Sequence, residues 1–126
     1  MQTLSVKNID NRHSEWQSVL GFYKDELGIF KNRLEEVAAK NTAIETMQMM
    51  EHFQNQFLVQ EESIDILLHD IHEHLHLLSK DVLQHAGHID KEQMAFRDLL
   101  QSRFKGEQDI FRLLKMEFMR FLSKIM

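Results

Sequence analysis

The sequence predicts an all-α fold, an elongated antiparallel up-down bundle of three long helices, and three observations predict it. The 126 residues include no proline and only four glycines, so almost nothing interrupts a helix or supplies the turn chemistry of β-rich folds. Large apolar residues recur at alternating three- and four-residue steps, the spacing of helices packed lengthwise. The pattern lapses near Asn41 and near Gly87, where residues that start and stop helices are found.

Residues 1–10 read as an N-terminal tail. Helix one is expected over about residues 12–40, opened by a capping box of Ser14 and Gln17, or one turn earlier by Asp10 or Asn11. Its seam is Trp16, Leu20, Tyr23, Leu27, Phe30, Leu34 and Val37, with Val19, Phe22 and Ile29 widening the stripe as a bundle requires. A tight turn at about Lys40 to Thr42 and a second capping box, Thr42 with Glu45, return the chain antiparallel.

Helix two is expected over about residues 42–84. Its seam runs through Ala43, Met47, Met50, Gln54, Phe57, Glu61, Ile64, Leu68, Ile71, Leu75, Leu78 and Val82. A four-helix bundle would break it at residues 59–63, where the seam turns polar, but no glycine or proline lies there. Gly87 suits the position after its end, and Asp90 with Gln93 opens helix three, over about 90–125. This last helix carries Phe96, Leu100, Phe104, Phe111, Leu114, Phe118, Phe121 and Ile125. Gly106 beside the seam residue Glu107 is a place for a local kink, and Arg120 and Lys124 suit the negative end of the helix dipole.

These lengths do not match. Helix two exceeds helix one by roughly 20 Å at about 1.5 Å per residue, so the stretch from about His72 onward needs cover from the tail or from a second subunit. A homodimer is the expectation.

Charge is segregated. The formal charges of residues 1–40, 41–90 and 91–126 are 0, −8 and +3, and seven of the eight histidines lie in the acidic middle third. An acidic chain without a basic stripe argues against nucleic-acid binding, which depends on neutralising phosphates. There is no cysteine for disulfide or thiolate chemistry. No stretch approaches the roughly 20 apolar residues of a membrane span, and the start lacks the basic and apolar regions of a secretory signal. Cytoplasmic residence is therefore expected. The basic amphipathic segment from Arg103 onward could lie on a membrane or in a partner's groove, but its apolar stripe is also what the bundle core needs.

The chemically suggestive stretch is residues 69–76, His-Asp-Ile-His-Glu-His-Leu-His. On a helix His69, His72, Glu73 and His76 project from one side, and His72 with His76 has the spacing to chelate Zn²⁺ or another divalent transition metal. Folding back at residue 41 brings His13 to a similar level as a further ligand. The seam directs His69, Glu73 and His76 outward, which favours a solvated face over a converging site. Ferritin-like di-iron sites need Glu-x-x-His on two helices, and Glu73-x-x-His76 is the only example. No nucleophile motif or phosphate loop points to an enzyme. Val59 and Ile66, seven residues apart opposite the seam with Leu58 beside them, point toward a protein interface if they form a patch. The expected function is a non-enzymatic, self-associating interaction or scaffolding module that binds no cofactor, with a metal-binding bundle as the alternative.

Overall fold

The computed structural model describes residues 6–85 and 91–125. Its elements are α1 (Val6–Ala38), α2 (Ile44–His85) and α3 (Lys91–Ile125), and no strand occurs among the described residues. Cross-helix contacts set the directions. Lys31 meets Glu61, Lys24 meets Asp65 and His13 meets His74, so α2 runs antiparallel to α1. Phe121 meets Phe53, Glu107 meets Ser63 and Arg103 meets Asp70, so α3 runs antiparallel to α2. The architecture is the expected three-helix bundle, with α2 unbroken across residues 59–63 and α3 helical through Gly106. None of the described helices is long and apolar enough to cross a membrane.

One boundary differs. α1 starts at Val6, so residues 6–10 are helix and not tail, and Ser14 lies inside a helix instead of capping one. The reason is visible in the spacing: Val6 and Ile9 continue the three-four pattern back from His13, Trp16 and Leu20, and no glycine precedes Gly21. α1 meets α2 beyond His72 through His13, which bonds His74, and Leu78 is buried as well, so part of the stretch assigned to a second subunit is covered within the chain. At the other end Asn41 closes α1, its Nδ2 donating to the Val37 carbonyl at 2.8 Å. The link to α2 spans the expected turn, and the Met47 N–H donates to the Ala43 carbonyl at 2.9 Å as α2 begins. Gly87 and Asp90, read as stop and start signals, lie outside the described residues.

Burial follows the seams, but the expected seam residues Met47 and Phe96 are 47% and 40% exposed, and α1 and α2 each depart further. In α1 Phe22 and Ile29 are 58% and 63% exposed; they do not widen the core stripe. α1 packs backbone-close against α2 but reaches α3 through long side chains, so a narrow stripe suffices. Trp16–Phe104, Tyr23–Phe111 and Phe30–Phe118 span that gap with ring centroids 5.8, 4.0 and 5.3 Å apart, one pair per heptad. Such pairs contribute about 0.5–1.5 kcal/mol each beyond their buried area. In α2 the buried series is Met50, Phe53, Phe57, Gln60, Ile64, Leu67, Ile71, His74 and Leu78. Every second position of the expected seam is therefore displaced by one residue, from 54, 61, 68 and 75 to 53, 60, 67 and 74. A middle helix packs on two neighbours, and its two flanks are both partly apolar. Leu68 and Leu75 remain half-buried against the core.

Candidate functional site

Among the described residues four polar side chains are buried: His13, Gln60, His74 and Glu107. All four occupy seam positions, and they form polar layers within an otherwise apolar core. The outer layer joins α1 to α2. His13 Nε2 lies 2.9 Å from His74 Nδ1, and both residues are 0% exposed. One nitrogen must donate and the other accept, so at most one of the two rings can be a cation while the bond exists. Trp16 packs 4.7 Å from His13, and Phe96 of α3 packs 4.9 Å from His74. Burial pushes the His74 imidazole below its ordinary value; Gln93 opposes this, and the Arg97 charge adds to it.

The second layer joins α2 to α3. Ser63 Oγ donates to Glu107 Oε2 at 2.7 Å, while Glu107 Oε1 and Gln60 Oε1 are buried acceptors without a hydrogen-bond donor. Burial raises the Glu107 carboxyl above its ordinary value, and the Ser63 hydrogen bond only partly offsets this. The protonated form is thus favoured by folding, and the stability it confers is lost as pH rises through the raised value. Glu107→Gln keeps an acceptor for Ser63 and removes the ionisation. We expect it to stabilise the protein by on the order of 1 kcal/mol at pH about 8, with the gain vanishing near pH 4. Thermal melts of both proteins across that range check this; an unchanged or lowered midpoint at the higher pH would contradict it.

The histidines singled out by spacing lie elsewhere. His69, His72, Glu73 and His76 are all exposed, on the outward side of α2. His13 does not join them; it is enclosed in the core with His74, one turn further along. Among the described residues no group of three or more His, Cys, Asp or Glu side chains is placed to hold a metal ion. His74, the functional-looking residue that the outward pattern hid, was detectable: it sits on the displaced seam, four residues before Leu78 and three after Ile71.

The outward faces carry a second feature. Ile110, Leu113, Met116 and Met119 are 49%, 57%, 54% and 42% exposed. Three-residue steps place them on one oblique ridge that crosses the solvent side of α3. The exposed basic residues Lys105, Arg112 and Arg120 flank it. On α2, Val59 and Ile66 are 47% and 58% exposed, as their position opposite the seam implies.

No protein-family model matches the chain, and no curated protein or solved structure matches it either. Its function has to be read from its own residues.

Proposed function

We propose that the chain is a non-enzymatic interaction module, a helical bundle that self-associates and offers a helical surface to protein partners. One observation carries this: the apolar ridge Ile110, Leu113, Met116 and Met119 on the solvent side of α3. Single exposed apolar residues are ordinary, but an unbroken row is what a helix presents when another helix packs on it. The buried polar groups fit a structural part, since polar seam residues fix register between helices. The double variant Leu113→Gln, Met116→Gln tests the proposal. Both positions are exposed, so its thermal midpoint should stay close to that of the unaltered protein, while self-association measured by light scattering should fall at least tenfold. Unchanged association would overturn the assignment of this ridge.

A second reading, a surface chelate for Zn²⁺ or a similar divalent ion, is favoured by one arrangement: His72 and His76 are exposed one helical turn apart beside Glu73. It predicts stoichiometric metal by elemental mass spectrometry in untagged protein purified without chelator, lost in His72→Ala, His76→Ala. Metal-free folded protein, or metal retained in that variant, would rule out this ligand set.

A further inference from the structure

The solvent side of α2 is the chemical counterpart of the α3 ridge. Between residues 51 and 76 α2 carries six carboxylates and no lysine or arginine. Other helices neutralise three of them. Lys31 pairs with Glu61 at 3.0 Å, Lys24 with Asp65 at 2.6 Å and Arg103 with Asp70 at 2.6 Å. Glu51, Glu62 and Glu73 are exposed. They recur every eleven residues, about three helical turns, so they line up along one side at intervals of roughly 16 Å. Val59, Ile66 and Leu77, which are 47%, 58% and 45% exposed, run beside that line.

The α2 face is therefore apolar with an acidic border, and the α3 face is apolar with a border in which Lys105, Arg112 and Arg120 outnumber the exposed Asp109 and Glu117. The two belong to adjacent antiparallel helices of one chain. A second copy turned by a twofold axis can set its α3 on the first copy's α2 and its α2 on the first copy's α3. Both contacts are then satisfied at once, the self-complementarity of an isologous interface. Opposite borders also set the register and disfavour two α2 faces meeting, because like charges juxtaposed across an interface are costly. An anionic membrane is a poorer occupant, since the α2 carboxylates beside the ridge repel it.

We propose that the occupant of this face is a second copy of the chain, with the α3 ridge of each protomer docked on the acidic side of its partner's α2. This rests on the self-association proposed above and adds its surface and pairing. The test uses two charge-reversed forms of the full chain, Arg112→Glu with Arg120→Glu and Glu62→Lys with Glu73→Lys, studied by sedimentation velocity alone and mixed one to one. Each alone should associate at least tenfold more weakly than the unaltered protein. The mixture should recover association, because in the mixed dimer one contact is reversed on both sides and the other is unaltered, so both are complementary. Circular dichroism establishes that both forms fold. An unaltered protein that dimerises while either variant does so equally well would overturn this face and leave self-association standing. So would a mixture of two folded monomeric variants that fails to recover. An unaltered protein that stays monomeric at every concentration would overturn both, leaving the ridge to a different partner.

Discussion

Phe118→Ala is expected to cost about 3–5 kcal/mol of unfolding free energy, the range for truncating a fully enclosed phenylalanine. Phe118 is 0% exposed and lies where all three helices meet. Its ring is 5.3 Å from Phe30 of α1, 5.4 and 5.0 Å from Phe53 and Phe57 of α2, and 6.5 Å from Phe121 of its own helix. Four large rings cannot collapse into the space without leaving good packing, so the lost transfer energy is joined by a cavity term. Against a typical total of about 5–15 kcal/mol, the loss is a large fraction. Urea unfolding of the variant measures it. The control is Met116→Ala, two residues away and 54% exposed, which should change stability by less than about 0.5 kcal/mol. Equal effects at the two positions would contradict the α3 register.

The second large effect is acid sensitivity at the His13 end. A second proton on the pair would place two N–H donors face to face, breaking the hydrogen bond and leaving buried donors unsatisfied at about 1–3 kcal/mol. The sign follows from His74. Its folded value is depressed below 6.5, chiefly by burial, so the unfolded chain binds more protons in the window just below the ordinary value. The stability conferred by the neutral ring is complete above that value and is lost as pH falls beneath it. The double variant His13→Leu, His74→Leu replaces the pair with apolar side chains and should lack this component, while staying near or above wild-type stability at neutral pH. Melting temperatures of both proteins between pH about 7.5 and 5 compare them. Parallel curves would show that the pair does not govern the response.

The fold was largely legible, and the departures have physical causes. The absence of proline and the three-four spacing located all three helices, because helical packing is what such spacing serves. The start of α1 was obscured because Ser14 and Gln17 mimic a capping box, a local signal that the longer seam through Val6, Ile9 and His13 overrides. The seam of α2 was read one residue off at every second position because both of its flanks are partly apolar: Leu67 is buried while Leu68 is half-buried, and His74 is buried while Leu75 is half-buried. At 74 and 75 packing between two neighbours took the histidine and left the leucine half-buried, whereas at 53 and 54 it took the phenylalanine over the glutamine. His13 meets His74 and not His69 to His72 because the fold-back across the link of residues 39–43 is centred later than residue 41. The outward position of Val59 and Ile66 was legible, since it depends only on the shared seam positions 57, 64 and 71. The α3 ridge was not recognised, because a step of three residues matches neither the seam nor its opposite face.

The measurement that bears most directly on the central claim is the mass of the untagged, full-length protein by light scattering across a micromolar concentration series. Self-association predicts a weight-average mass that climbs from near 15.1 kDa toward twice that value as concentration rises, with the climb weakened by added salt because charged borders contribute to the contact. A mass fixed at 15.1 kDa throughout would contradict it.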